Sequence, residues 1–446
     1  MPRIAVIGGG ITGLSAAWFL RGHADVTLYE ADTRLGGKIR TDDFAGRRVE
    51  AGPDAFLARV PHAAELCRAA GLGDALVSPA SGKAYVWAND ALRTLPAGHV
   101  LGAPTALGPL ARSGLVSPVA VLRAGLDRIL PRTRVADDIG VGALIAARYG
   151  RQVRDHLVDP LLGGIHTGPS ERLSAAATAP QFLAAARSSR SLSRGLRAAQ
   201  PAAPSTGPVF LTVEGGLGRL VDALAAAPRE TRLSHAVAAI EPHGEQWRVD
   251  GDAYDAVIVT TPSYAAAPLL APVAPDVATG LAAIEYASIA LTLMVYPTSA
   301  FTRPLDASGF VVARDSGLRM TACSWASTKW AHVGGDQVVL RVSAGRWGEP
   351  PVDENDNDLA ARLHDEVEKT MGATTGPMET RVVRWPRSFP QQTVGHLGRI
   401  TEIEAGLAAA APGIVLAGAA YRGLGLPACI GQAEAAAANA LARVRA

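Results

Sequence analysis

Gly8, Gly10 and Gly13 carry the clearest chemistry in this chain. They lie in Gly8-Gly9-Gly10-Ile11-Thr12-Gly13, after the β-forming run Arg3 to Gly8 and before an Ala/Leu-rich helix from Leu14 to Leu20. Each glycine has its own task. Gly8 permits the tight turn, Gly10 lets backbone approach a pyrophosphate, and Gly13 lets the helix pack on the strand. Phosphates are held there because unpaired N–H groups and the helix dipole both favour negative charge. A second strand, Asp25 to Tyr29, ends at Glu30, the distance at which an acid accepts hydrogen bonds from a ribose. Glycine turns alone are common, but strand, helix and acid in register make this a dinucleotide site, with Ile11, Thr12 and Ala31 as further contacts.

Several other residue types could react, and most have a plainer explanation. Cys67, Cys323 and Cys429 are far apart, form no CxxC pair, and as an odd number give no closed disulfide framework. A reducing cytosol suits them. No metal-ligand cluster or acid–base dyad stands out. The Arg187 to Arg197 stretch reads as solvated helix face, and Cys429 as a small packed thiol. A net charge of +2 gives no basic excess for nucleic acid. Pro2-Arg3 runs straight into a strand, which is not a signal peptide. The most apolar stretch, Ala405 to Tyr421, is broken by Pro412-Gly413 and reads as a helix end plus a buried strand. No membrane span is expected, which leaves room for a peripheral contact.

The motifs that follow decide the cofactor by resemblance. Arg34-Leu35-Gly36-Gly37-Lys38-Ile39-Arg40-Thr41 resembles the second glycine motif of the FAD-dependent amine oxidase and desaturase superfamily, with Arg34 and Lys38 as counter-charges near the phosphates. Gly52-Pro53-Asp54-Ala55 gives a loop that could run beside the flavin, the plainer reading being a surface turn with Asp54 solvated. Leu157 to Gly168 (LVDPLLGGIHTG), continuing through Arg172-Leu173-Ser174, resembles the central signature of the protoporphyrinogen and coproporphyrinogen oxidase family. Leu115 to Pro131, with Asp127, resembles the helical segment before it. Arg384-Trp385-Pro386 with Phe389-Pro390 and Gly395-His396, and Leu424 to Ile430, resemble its late motifs. Ala428 stands where an aspartate is common, and His166 where a tyrosine is frequent.

This resemblance, over essentially the whole chain, implies an activity. A porphyrinogen loses six electrons in three hydride transfers to non-covalent FAD, and O₂ takes them to give hydrogen peroxide. Pyrrole nitrogens stabilise the charge left by each hydride, so no strong protein base is needed. The protein must supply a flat apolar pocket and charges for propionates. Arginine suits that pairing, and Arg59, after the Gly52 loop, is the first candidate. His166 either faces the cavity or is structural. The resemblance also implies that Val237 touches adenine through its backbone, and that Trp385, Leu424, Gly425 and Leu426 lie near the flavin, with core packing the competing role for Trp385.

Lysine is scarce, with only Lys38, Lys83, Lys329 and Lys369, a bias typical of GC-rich bacteria. The resemblance then favours coproporphyrinogen III over protoporphyrinogen IX, a cytoplasmic location, and transient contact with an iron-inserting enzyme. An amine oxidase or polyene desaturase, and a flavin-bearing porphyrin carrier without turnover, are the rival readings.

These motifs require an α/β (α+β overall) architecture in three parts. A Rossmann-like FAD-binding domain is expected from residues 1–75, 206–275 and 376–446. A mixed-sheet substrate domain is expected from 76–95 and 276–375, with Ala287 to Tyr296 and Gln337 to Ser343 as strands. A helical cap spans 96–205 and ends in a linker, Ala198 to Pro208. Further strands are expected at Ala236 to Ile240, Tyr254 to Thr261 and Gly413 to Gly418, and a last helix at Ile430 to Arg443.

Overall fold

The computed structural model describes residues 1–200 and 207–445; most of the expected linker, Ala198 to Pro208, lies outside them. The first strand, Arg3–Ile7, pairs in parallel with Asp25–Tyr29 on one side and Ala256–Val259 on the other. Glu230–Arg232 and Ile414–Leu416 complete a parallel sheet of five. Its centre is buried on both faces, which is why Ile4, Ala5 and Val6 form an unbroken apolar run. Helix Ile11–Leu20 packs on the last helix, Leu426–Arg445, where Ala16, Ala17 and Leu20 share a core with Ala433, Ala436, Ala437 and Ala440. Alanine lets the two backbones come close, so the opening and closing segments of the chain meet on one face of the sheet.

Seven strands form the second sheet, in the order 379–390, 286–297, 337–344, 320–325, 309–312, 85–88, 91–94. Only the 309–312 and 85–88 pair is parallel. One face packs on helix Asp356–Met371 through Leu359, Leu363, Val367 and Met371. That helix starts at Asn355, whose side chain accepts the Asp358 N–H, and stops at left-handed Gly372. Strand Glu379–Pro390 corrects an expected boundary. It pairs with 286–297 through nine residue pairs, so residues 379–390 belong to this sheet and not to a flavin segment beginning at 376.

Short helices between Leu107 and Ala198 surround a core that includes Leu110, Leu144, Leu157, Leu162 and Phe182. A buried ion pair ties them together: Asp127 and Arg148 approach to 2.7 Å with side chains 1% and 3% exposed. Asp127 also accepts the N–H groups of Leu192 and Ser193 and the hydroxyls of Ser191 and Ser193.

The expected strand at Ala236 to Ile240 is a second correction. Pairing begins only at Ile240, in an antiparallel ribbon with 246–249. The N–H groups of Ala238 and Ala239 go instead to the Asp250 carboxylate at 3.0 Å, so no neighbouring strand receives them.

Candidate functional site

The glycine turn has the shape a bound diphosphate requires. Gly8 adopts φ +110°. A Cβ on Gly13 would lie 1.8 Å from the Gly8 carbonyl oxygen, whereas one on Gly10 would meet nothing within 4 Å. Gly13 therefore serves packing, and Gly10 keeps space open in front of a helix whose N-terminus no side chain caps. Thr260, after strand Ala256–Val259, donates its hydroxyl toward the Ile7 and Gly8 carbonyls at 2.9 Å and supports the turn from below. Glu30 accepts the Gly9 N–H at 2.6 Å and the Asp32 N–H at 2.8 Å. Each carboxylate oxygen keeps a lone pair for a ribose hydroxyl.

The second glycine motif docks back to back on the first. Gly36 N–H donates to the Gly9 carbonyl at 2.8 Å, and a Cβ on Gly37 would stand 3.1 Å from Gly10 Cα. Arg34 is committed to the loop itself, donating to the carbonyls of Leu35, Ile39 and Gly37. It braces the motif and is less available as a counter-charge than the sequence suggests. Lys38 lies close to Cys429 of the last helix, and burial lowers its pKa. The Cys429 thiol is pushed up by burial and sits beside Thr12. Leu424 and Gly425 lead into that helix, and Leu426 opens it. Ala31 is exposed, and partly buried Val237 packs on the core around Tyr29 and Trp247.

The Glu50 to Ala55 loop is fixed from both sides. Ala51 N–H donates to the Arg40 carbonyl at 2.7 Å, and a Cβ on Gly52 would meet the Lys38 carbonyl at 2.1 Å. From the seven-stranded sheet, Trp385 Nε1 donates to the Ala51 carbonyl at 2.8 Å. Arg341 donates to the carbonyls of Glu50 and Gly52. Asp54 is not solvated. Its Oδ2 takes Lys329 Nζ and Arg341 Nη1, each at 2.8 Å, and Trp330 Nε1 at 3.2 Å. Burial opposes the Asp54 charge, yet the two cations hold its carboxyl well below the usual range. Glu50 differs: burial pushes it up to about 7 despite hydrogen bonds from Leu217 N–H and the Thr41 hydroxyl. Sequence reading missed Lys329, Trp330, Arg341 and Thr260. The available signal was an arginine inside the apolar run Val338 to Val342.

Beyond this loop, part of one face of the seven-stranded sheet stays partly exposed. Leu291, Ser343, Ala322 and Val311 follow one another across four strands. Their neighbours along the strands, such as Ala290, Val342, Cys323 and Phe310, point to the opposite face. Ser343, Ala322, Ser324 and Val311 keep partial exposure although they lie on the broad face of a sheet. Facing them is the signature helix Asp159–His166, reached through a π-helical turn at Arg154–Val158. Such turns are frequent at functional sites. A Cβ on Gly164 would stand 3.4 Å from Val311. Gly164 and Val311 are thus within ordinary packing distance, and the helix rests on this end of the row.

His166 ends that helix, is buried, and among the described residues leaves its Nδ1 without a partner. Gln391 Nε2 donates to the His166 carbonyl at 3.0 Å. Burial lowers its pKa from 6.5 to about 4. The unfolded chain therefore binds the extra proton between those values, and the native state loses stability as pH falls through that window. Replacing His166 with Phe should make the acid limb of the melting-temperature profile shallower between about pH 6.5 and 4, as thermal denaturation across that range would show. Arg59 stands exposed in the turn after strand Phe56–Leu57 and, among the described residues, makes no hydrogen bond or ion pair. Its guanidinium is uncommitted.

Taken together, the two glycine loops, the Glu30 carboxylate and the uncapped helix fit FAD. Among the described residues no group of three or more His, Cys, Asp or Glu is placed to hold a metal, and no helix is long and apolar enough to cross a membrane.

Comparison with known proteins agrees with this geometry. Residues 11–441 match the flavin containing amine oxidoreductase family. The coproporphyrinogen III oxidase of Bacillus subtilis (strain 168) is 35% identical, over 98% of each chain. That of Staphylococcus aureus (strain NCTC 8325 / PS 47) is 32% identical over 99% of each. A crystal structure from Exiguobacterium sp. 255-15, which carries the name protoporphyrinogen oxidase, superposes with a TM-score of 0.89 at 32% identity and 99% coverage of both chains.

Proposed function

Since this chain belongs to the coproporphyrinogen III oxidase family of the flavin containing amine oxidoreductases, we propose that it oxidises coproporphyrinogen III to coproporphyrin III in haem biosynthesis. The observation that carries this reading is the open space in front of Gly10 at an uncapped helix, with Glu30 and the braced Ala51–Gly52 loop, in a chain whose relatives are coproporphyrinogen III oxidases. FAD, when bound, supplies an acceptor for hydride. The chain's own part is placement. The uncapped helix at Ile11 binds the diphosphate, and Glu30 takes a ribose. Trp385 and Arg341 hold the Ala51–Gly52 backbone where ring and substrate meet.

Three hydrides remove six electrons in all, and O₂ receives them as hydrogen peroxide. A protein base is not required at the meso carbons, because the pyrrole nitrogens stabilise the developing charge. His166, neutral near pH 7, offers Nδ1 at the signature helix, and Arg59 offers a guanidinium to a propionate. The same proposal divides the chain into flavin, sheet and helical parts, with the last flavin segment following Pro390. A cytosolic location and transient transfer of product to an iron-inserting enzyme belong to the same proposal. Peripheral membrane contact is supported by Val119, Leu122, Leu126 and Ile129. They are exposed at helical spacing, amid exposed Arg112, Arg128, Arg132 and Arg134.

The second reading, protoporphyrinogen IX oxidation, is favoured by the name of the Exiguobacterium protein. Purified enzyme given equal amounts of both porphyrinogens decides between them. Coproporphyrin fluorescence should rise faster, with peroxide accumulating alongside. Faster protoporphyrin formation would reverse the substrate assignment, and turnover of amines alone would refute both.

A further inference from the structure

We propose that Lys329 and Arg341 together form a fixed positive charge that makes the bound flavin a better electron acceptor, with Lys329 as a positioning residue for that charge. The proposal rests on the reading above, in which the ring of FAD lies against the Ala51 to Ala55 segment.

Positive and negative charges around Asp54 do not match in number. Two cations converge on a single oxygen, Asp54 Oδ2, each at 2.8 Å, and Trp330 Nε1 approaches the same atom at 3.2 Å. One carboxylate neutralises only one of them. The side chains of Lys329 and Asp54 are each 16% exposed, and that of Arg341 is 8% exposed. Water therefore screens the remaining positive charge poorly. The neighbouring acid, Glu50, turns its carboxylate toward Leu217 N–H and Thr41. Because burial pushes it up to about 7, it offsets the excess only in part near neutral pH.

Location gives the charge its effect. Arg341 reaches the carbonyls of Glu50 and Gly52, and Gly52 packs directly on the Lys38 backbone of the second glycine motif. The cluster thus sits where the Glu50 to Ala55 loop meets the seven-stranded sheet. Arg341 shares a cross-strand row with Leu293 and Ser324 there. Accepting a hydride adds negative charge to the flavin ring, and a preorganised cation in a water-poor site stabilises that charge without reorganisation. A purely mechanical tie between loop and sheet would need only one cation.

The midpoint potential of bound FAD, measured anaerobically against a reference dye, separates the electrostatic role from a mechanical one. Lys329→Met should retain FAD and lower the potential by about 30 mV or more, a tenfold change in the two-electron equilibrium. Lys329→Arg should restore the wild-type value. Asp54→Asn removes negative charge with little change of shape and should move the potential upward, which gives a second reading if Lys329→Met folds poorly. Unchanged potentials in variants that hold FAD would overturn the proposal and leave the function intact. Wild-type protein unable to hold FAD would remove the functional reading and this inference with it.

Discussion

Gly10→Ala should yield a folded protein that has lost its flavin, and Gly13→Ala a protein that loses both flavin and stability. The contrast follows from where each new methyl group would go. At Gly10 it meets no protein atom within 4 Å, so the apoprotein keeps its melting temperature. The methyl instead occupies the open space in front of the uncapped helix, where a pyrophosphate oxygen must approach the backbone. At Gly13 the methyl lies 1.8 Å from the Gly8 carbonyl oxygen and 2.8 Å from Thr260 Oγ1. The helix has to move by more than an ångström, far beyond what a packed interior absorbs. A displacement of about 1 Å in positioning groups costs on the order of 100-fold, and FAD affinity should fall at least that much in both variants. Titrating stripped protein with FAD, beside thermal melts of the apoproteins, checks the pair. A Gly10→Ala protein that binds FAD like wild type would show that the phosphates lie elsewhere.

Asp127→Ala is expected to have the largest effect on stability alone. The substitution strands Arg148, whose side chain is 3% exposed, and leaves the N–H groups of Leu192 and Ser193 without their acceptor. Desolvation works against the Asp127 charge, yet the hydrogen bonds it receives keep its carboxyl below the usual range. The pair is therefore formed as ions. Removing one member of a buried pair costs about 3–5 kcal/mol, because the survivor stays buried and unpaired. Replacing both, as in Asp127→Leu with Arg148→Met, should recover much of the loss. Urea denaturation, with limited proteolysis of residues 107–198 as a local probe, measures this. A loss below about 1 kcal/mol would show that the helical part does not depend on this node.

How much of this was legible in the sequence depends on the range over which each residue acts. The Gly8 to Gly13 turn, strand Asp25–Tyr29 and Glu30 were readable because their partners lie within one βαβ unit. Strand 286–297 was readable as a long apolar run bounded by polar residues. The role of Asp54 was not: its cations come from 275 and 287 residues further along, and nothing local marks Lys329. Residues 379–390 were placed with the flavin segment for a similar reason, since the partner of this strand, 286–297, is fixed only by tertiary packing. Ala236 to Ile240 was expected as a strand, and Asp250 captured its N–H groups instead. Arg34 resembled a phosphate counter-charge, yet the carbonyls of its own loop engage it. The resemblance supplied what spacing could not, namely the substrate class.

Under the proposed function, electrons pass directly from a bound tetrapyrrole to FAD held by the two glycine loops. Mixing FAD-loaded enzyme with one equivalent of coproporphyrinogen III, without oxygen, and following the visible flavin absorbance tests that transfer. Bleaching of the flavin within the mixing experiment, reversed when air is admitted, is the predicted result. A flavin that stays oxidised while the porphyrinogen remains bound would contradict it, and would leave a protein that carries the macrocycle without oxidising it.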